Sequence, residues 1–115
     1  MEQSRLAVDQ EVVEGVPVVR LGGELDTFGA STVRDRLASL YESDRVVVDL
    51  SGLTFLDSAG LHVLFSIGRD AHESAAVLVF VVPDASPVRR VLELVQLADV
   101  SPVCESVESA LEHAG

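Results

Sequence analysis

Two short and almost uninterrupted apolar runs limit the folds that are open to this sequence. They are VVVDL at residues 46–50 and VLVFVV at residues 77–82. Valine and other β-branched residues favour strands. A strand without polar alternation is typical of a sheet covered on both faces, as parallel sheets are. The runs therefore predict two central strands with parallel pairing, in a sheet that carries helices on its faces.

The N-terminal part of the chain has the pattern of a β-hairpin. Apolar residues alternate with polar ones up to a Glu14-Gly15 turn, and a second apolar run follows. We expect Gly22-Gly23 to end this hairpin. From Thr27 the spacing becomes helical, with Asp26 or Thr27 as the N-cap. The apolar face of this helix consists of Ala30, Val33, Leu37, Leu40 and Tyr41.

The rest of the chain alternates between helices and strands. Ser51-Gly52 is expected to turn the chain after the first central strand, and a second helix begins near Ser58. A third helix is predicted from Ser86-Pro87, because proline suits the first turn of a helix. A short strand around Val103 precedes a final helix at residues 106–113. The sequence thus predicts an α/β fold, a mixed β-sheet with an N-terminal hairpin and about four helices packed on it.

The chain is strongly acidic and contains no lysine. Its 19 aspartates and glutamates outweigh 8 basic residues, all of them arginine, for a formal net charge of −11. This charge disfavours direct contact with nucleic acid or an anionic membrane. The missing lysine excludes lysine-dependent catalysis. The acidity suits a basic partner surface or serves solubility alone, and composition does not decide between the two.

Cys104 is the single cysteine, so no internal disulfide or multi-cysteine metal site can form. We interpret it as a small buried apolar residue. The first residues do not have the pattern of a signal peptide, and the longest apolar run, residues 75–82, is too short to span a bilayer. We therefore expect a cytoplasmic protein without membrane insertion.

Ser58 stands where the first central strand is followed by the second helix, between Asp57 and the small pair Ala59-Gly60. Small neighbours leave its hydroxyl accessible, but a serine in this position is also a common N-cap. A catalytic nucleophile elbow needs glycine two residues before and after the serine, and Leu56 holds the first of these positions. The residues alone leave open whether Ser58 caps the helix or presents its hydroxyl.

His62 lies four residues after Ser58, and a Ser-His pair on one helix face is the enzymatic interpretation of this segment. The three histidines lack the spacing of metal ligands. The stretch GGELD at residues 22–26 lacks the glycine fingerprint of a dinucleotide site. No metal or cofactor site is therefore predicted.

Three stretches together resemble a known family. They are LGGELDT at residues 21–27, VVVDLSGLTFLDSAGLHVL at residues 46–64 and SPVRRVLELVQLADV at residues 86–100. In this order they are similar to bacterial anti-sigma factor antagonists, which consist of a single STAS domain. The resemblance covers nearly the whole chain, so we expect one STAS domain at residues 1–115.

The resemblance implies which residues carry the function. In this family the serine of an Asp-Ser-x-Gly-Leu motif is phosphorylated by a partner that is both an anti-sigma factor and an ATP-dependent serine kinase, and the matching residue is Ser58. We include Asp57 among the predicted partner-binding residues because it adjoins that serine. It either orients the acceptor or finishes the turn. The predicted partner-binding residues are Asp26, Asp57, Ser58, Gly60, Leu61 and His62, the last of which takes a position that is often glycine.

The function that the resemblance implies is a partner switch. The unphosphorylated protein sequesters the anti-sigma factor and thereby releases the sigma factor, phosphorylation of Ser58 ends this binding, and a serine phosphatase restores it. The protein is then not an enzyme and needs no cofactor. The alternative is a STAS subunit or scaffold of a transporter or sensory complex that never cycles phosphate. The helical spacing of Leu61 leaves open whether it anchors the partner or packs in the core.

Overall fold

A five-stranded mixed sheet forms the centre of the molecule in the computed structural model, which describes residues 5–113. The strands are β1 (Leu6–Val13), β2 (Val16–Leu25), β3 (Arg45–Leu56), β4 (Val77–Val81) and β5 (Val103–Cys104). They lie side by side in chain order. β1 and β2 form the antiparallel hairpin, and every later pairing is parallel. The predicted α/β class and mixed sheet are confirmed.

Four α-helices connect or follow these strands. They are α1 (Thr27–Ala38), α2 (Ser58–Glu73), α3 (Arg89–Leu94) and α4 (Val107–Glu112). A short 3₁₀ helix at Leu97–Asp99 was not predicted. α3 begins later than expected, because the hydroxyl of Ser86 accepts a hydrogen bond from the Val88 amide in the turn before it. Within residues 5–113, no helix combines the length and the apolar content that crossing a bilayer requires.

The sheet is covered on both faces, as the uninterrupted apolar runs predicted. Val46, Val48 and Leu50 belong to the larger core, which also contains the buried aliphatic side chains of α1 and α2. Val47 points to the opposite face and packs in a smaller core with Ala110 of α4. The valines at the start of β3 thus alternate between two apolar layers, which accounts for the uninterrupted apolar run.

The prediction that Gly22-Gly23 ends the hairpin is wrong, since β2 continues through both glycines to Leu25. Gly23 has a φ of +86°, and a Cβ there would lie 2.2 Å from the carbonyl oxygen of Arg5. The register with β3 shifts on either side of this pair. The glycines therefore form an irregularity within the strand and do not end it.

The turn predicted at Ser51-Gly52 is also wrong, because β3 runs on to Leu56. Gly52 pairs with Gly22 of β2, and a Cβ on Gly52 would lie 3.2 Å from the Cα of Gly22. Two glycines thus face each other at a point where a side chain on Gly52 would crowd the backbone of β2. Pairing between distant segments outweighs the local preference of Ser-Gly for a turn.

Candidate functional site

The helices α1 and α2 begin side by side at one edge of the sheet. Leu25 and Leu56, the last residues of β2 and β3, are paired in the parallel register. The next residue in each case is an aspartate, and the backbone amide of Asp57 donates to the carbonyl oxygen of Leu25 at 3.2 Å. Carboxyl ends of parallel strands meet at one edge of a sheet, where ligands and partners of α/β folds commonly bind.

Both aspartates are helix N-caps. Oδ1 of Asp26 accepts hydrogen bonds from the amides of Phe28 at 3.0 Å and Gly29 at 3.3 Å. Oδ1 of Asp57 accepts from the amide of Gly60 at 2.9 Å. A carboxylate in this position satisfies amides that the helix leaves unpaired and interacts favourably with the helix dipole. Asp26 was one of the two predicted caps of α1, and the structure selects it.

Ser58 is not the cap of α2. It is the first helical residue, it is exposed, and its side chain makes no hydrogen bond to any residue that the structure describes. Because Asp57 takes the capping role, the hydroxyl of Ser58 stays accessible to another molecule. Of the two interpretations left open by the sequence, the structure favours presentation of the hydroxyl.

Gly60 and Leu61 contribute to the position of α2 on the sheet. Gly60 is buried, and a Cβ there would lie 2.4 Å from the carbonyl oxygen of Leu25. Only glycine lets the first turn of α2 approach the end of β2 this closely. Leu61 is partly buried and packs against the larger core. Both residues therefore hold Ser58 at the sheet edge, whatever further contacts they make.

A groove of about 410 Å³ runs between α1 and α2 beside Ser58. On the α2 side Ser58, His62 and Ser66 follow one another at four-residue intervals, which places them on one face of the helix. His62 is exposed, and no hydrogen bond joins it to Ser58 among residues 5–113. The residues lining the groove are Ala30, Ser31, Arg34, Ser58, Ala59, His62, Val63 and Ser66.

The polar row of α2 ends at Asp70, four residues after Ser66. Oδ2 of Asp70 lies 3.4 Å from Nε of Arg34, the arginine that α1 contributes to the groove. Next to this ion pair, the hydroxyl of Tyr41 donates to the carbonyl oxygen of Ile67 at 3.1 Å. Burial and, after it, the Asp70 carboxylate raise the pKa of Tyr41 to about 12, and Arg34 partly opposes them. Beyond Ser66, the groove is thus followed by a cluster of interacting polar side chains.

Two exposed phenylalanines flank the capping aspartates, and the sequence reasoning missed both. Phe28 follows Asp26 by two residues and is 53% exposed, while Phe55 precedes Asp57 by two residues and is 50% exposed. Large exposed aromatic side chains are enriched at protein interfaces. The available signal was their position beside the two aspartates, since neither phenylalanine fits the apolar face of its own element.

The sequence profile of the STAS domain matches residues 7–110. The chain belongs to the STAS domain family. Among curated relatives of this STAS protein, an anti-sigma F factor antagonist of Paenibacillus polymyxa is 30% identical over 110 residues, covering 92% of each chain.

Solved structures of STAS proteins agree with the fold. An anti-sigma factor antagonist from Mycobacterium paratuberculosis superimposes with a TM-score of 0.75 at 25% identity, covering 93% of this chain and 92% of that chain. The Bacillus protein SpoIIAA in its unphosphorylated form gives a TM-score of 0.69 at 21% identity, covering 92% of this chain and 94% of that chain. At 21% identity, the similarity to SpoIIAA supports the fold alone.

Proposed function

We propose that this STAS domain is an anti-sigma factor antagonist. Its unphosphorylated form binds an anti-sigma factor that is also an ATP-dependent serine kinase, and this binding releases a sigma factor for transcription. The observation that carries the proposal is the exposed hydroxyl of Ser58, which stands beside a capping Asp57 at the edge where α1 and α2 begin. The name of the Paenibacillus polymyxa relative supports the choice of partner.

The proposed interface is the sheet edge formed by the two helix starts. Ser58 is the phosphate acceptor, and His62 and the two phenylalanines extend the exposed surface around it. Asp26 and Asp57 contribute partly buried carboxylates that already cap the helices. Gly60 and Leu61 act by holding the helix start in place. With a net charge of −11 the domain suits a basic partner surface and not nucleic acid.

The switching reaction transfers one phosphoryl group from ATP to Ser58. An Oγ–P bond forms, the bond between the γ-phosphorus and the β–γ bridging oxygen breaks, the hydroxyl proton passes to a base of the kinase, and ADP leaves. A serine phosphatase later hydrolyses the Oγ–P bond and restores the hydroxyl. The STAS domain supplies only the acceptor, so we propose that it is not an enzyme, needs no cofactor and works in the cytoplasm.

Phosphorylation acts on the interface and leaves the fold intact. A phosphate adds about −1.5 to −2 charges at pH 7, and a helix N-terminus tolerates such a charge or favours it by roughly 0.3–2 kcal/mol. At an interface the same group weakens binding, because it adds bulk, must lose its hydration shell and is repelled by carboxylates of the partner. Reversing a binding equilibrium from 99:1 to 1:99 needs about 5.5 kcal/mol, which a doubly charged group in a closed interface can supply.

Incubation with the cognate anti-sigma factor kinase and ATP tests the proposal directly. We expect one phosphopeptide, containing Ser58, by mass spectrometry, and loss of binding to the kinase once the site is modified. Ser58→Ala is the matched control, because its side chain is also exposed and small, and it is expected to stay unmodified and bound in the presence of ATP. Phosphate found only on another residue, or none at all, contradicts the proposed function.

A further inference from the structure

Arg34 has a place in the groove that the proposed function leaves unexplained. It is the one arginine among the residues that line the groove, and its ion partner is Asp70 at 3.4 Å. Both side chains of this pair are partly open to solvent, at 56% and 31% exposure. Exposed pairs of this kind contribute only about 0.2–1 kcal/mol. The ion pair can therefore exchange for a stronger one without unfolding either helix.

The geometry places Arg34 between Asp70 and Ser58. Along α2 the helical rise of 1.5 Å per residue separates Ser58 from Asp70 by about 18 Å. α1 and α2 begin after paired strand ends, so Arg34, seven residues into α1, stands roughly 10 Å beyond its helix start. Arg34 lines the same groove as Ser58, and its guanidinium reaches Asp70, one turn beyond Ser66. The long arginine side chain can turn towards either end of the groove.

The groove also contains a serine hydroxyl that makes no hydrogen bond to the described residues. Ser66 is only 5% exposed, it lines the groove, and its side chain makes no hydrogen bond among residues 5–113. Among the described residues no fully buried side-chain oxygen lacks a hydrogen-bond partner, so the hydroxyl oxygen of Ser66 is itself open to the groove. A hydroxyl in this setting, beside an arginine that can move, fits a groove that accepts an additional hydrogen-bonding group.

We propose that Arg34 is the intramolecular partner of a phosphate on Ser58. In the unmodified protein Arg34 pairs with Asp70, and in the phosphorylated protein it leaves Asp70 and pairs with the phosphate along the groove. The inference rests on the proposed phosphorylation of Ser58. The physical reason is charge, because a dianion attracts a guanidinium more strongly than a single carboxylate does, and the planar guanidinium can bind two phosphate oxygens at once.

The exchange changes the surface in two ways. The phosphate is held along the groove, between α1 and α2, and Asp70 loses its counterion. Without Arg34 the phosphate would face the carboxylates of Asp26 and Asp57 at the two helix starts with no permanent positive charge among the groove-lining residues. Arg34 thus lets the folded domain hold the phosphate while the outer surface becomes more acidic.

The test uses protein with phosphoserine incorporated at position 58 during translation, so that no kinase is needed. The second ionisation of the phosphate is followed by ³¹P NMR as a function of pH. We expect Arg34→Gln to raise this phosphoserine pKa by about 0.5 unit, because the nearby cation that favours the dianion is lost. Arg36→Gln is the control, since Arg36 is also exposed on α1 but lines no part of the groove, and it should leave the pKa unchanged.

Two further variants separate the groups that face the phosphate. Asp70→Asn frees Arg34 from its resting partner and is expected to lower the phosphoserine pKa. His62→Gln measures the contribution of the histidine that stands one turn after the acceptor, and Arg34→Gln should still raise the pKa in that background. Amide NMR spectra verify that each variant is folded.

Equal phosphoserine pKa values in the Arg34→Gln and Arg36→Gln proteins would overturn the inference, as would a pKa that does not respond to Asp70→Asn. The kinase assay on the unmodified protein is read separately. If Arg34 shifts the phosphoserine pKa but the cognate kinase leaves Ser58 unmodified, the pairing is supported and the proposed function fails. If the kinase modifies Ser58 but Arg34 has no effect, the proposed function stands and the pairing is wrong.

Discussion

Asp57 and Ser58 adjoin in the sequence, yet their side chains have different surroundings. The carboxylate of Asp57 accepts the amide of Gly60, whereas the hydroxyl of Ser58 projects from the first helical position without a partner among the described residues. A residue that caps a helix is hard to modify without weakening the fold. The division of roles between these neighbours leaves Ser58 available for modification.

This division predicts different effects of two alanine substitutions. Asp57→Ala should lower the free energy of unfolding by about 1 kcal/mol, the usual loss on removing an N-cap. Ser58→Ala should change it by less than about 0.5 kcal/mol, as is common for exposed residues. Urea unfolding followed by circular dichroism measures both. An equal loss in the two variants would mean that Ser58 shares the capping role.

Tyr41 makes the stability sensitive to alkaline pH. Its pKa is about 12 in the folded protein against an ordinary value of 10.0. Between these values the unfolded chain releases the tyrosine proton and the folded protein keeps it, so the stabilisation present below pH 10 is lost as the pH rises towards 12. The chain has one tyrosine and no lysine.

We therefore expect the free energy of unfolding of the wild type to fall more steeply over this pH range than that of Tyr41→Phe. The phenylalanine variant keeps the ring and every other titrating group, including Cys104, so the difference between the two curves isolates the tyrosine. Denaturant unfolding at a series of pH values measures it. Parallel curves for the two proteins would show that Tyr41 keeps its ordinary pKa in the folded state.

At the scale of secondary structure, the position of Ser58 depends on how closely α2 approaches β2. Gly60 faces the backbone oxygen of Leu25, which cannot move without shifting the strand end. Gly68, two turns further along α2, faces side-chain atoms of Val100 and Ser101 instead. Side chains can change rotamer, whereas a strand backbone held in a ladder cannot adapt easily.

Gly60→Ala should lower the free energy of unfolding by about 1–3 kcal/mol, the usual range for overpacking. The better helix propensity of alanine opposes this by up to about 1 kcal/mol, and the backbone clash outweighs it. Gly68→Ala adds the same methyl group to the same helix and should be less destabilising. Urea unfolding compares them, and a Gly60→Ala protein as stable as the wild type would contradict the close approach.

The local elements were predictable because their signals lie within a few residues of each other. The helical spacing after Thr27 and after Ser58 predicted α1 and α2 to within one residue of their starts. Leu40 and Tyr41 were assigned to the apolar face of α1, but the helix ends at Ala38 and both residues pack on the core from the turn that follows. Their spacing correctly predicted that both residues pack against the core, but it predicted a helix longer than the observed α1.

On the scale of the whole molecule, the two exposed phenylalanines lie at the edge where the parallel strands end. Val12, another exposed apolar residue, is 67% exposed and pairs with Pro17 near the hairpin turn, at the opposite edge of the sheet. The molecule therefore has apolar side chains at both ends, and only one end contains Ser58. This arrangement allows the binding surface to be located by substitution.

Phe28→Ala and Phe55→Ala should each weaken binding of the unphosphorylated protein to its anti-sigma factor partner by about tenfold or more, since buried aromatic anchors dominate interface energies. Val12→Ala removes a similarly exposed side chain at the other edge and should leave the affinity unchanged. Isothermal titration calorimetry measures all three. A loss for Val12→Ala equal to that for the phenylalanine variants would place the interface elsewhere.

The sequence by itself determined the fold class, the hairpin, the parallel central strands and the start of α2 at Ser58, because apolar periodicity and turn chemistry act within one segment. Only the tertiary structure decided that β2 and β3 run through their glycines, that Asp57 caps α2, and that Arg34 shares a groove with Ser58. These features arise from contacts between segments far apart in the chain. Ser58 was identifiable as the candidate acceptor from its motif, but the freedom of its hydroxyl depends on what the folded neighbours leave unpaired.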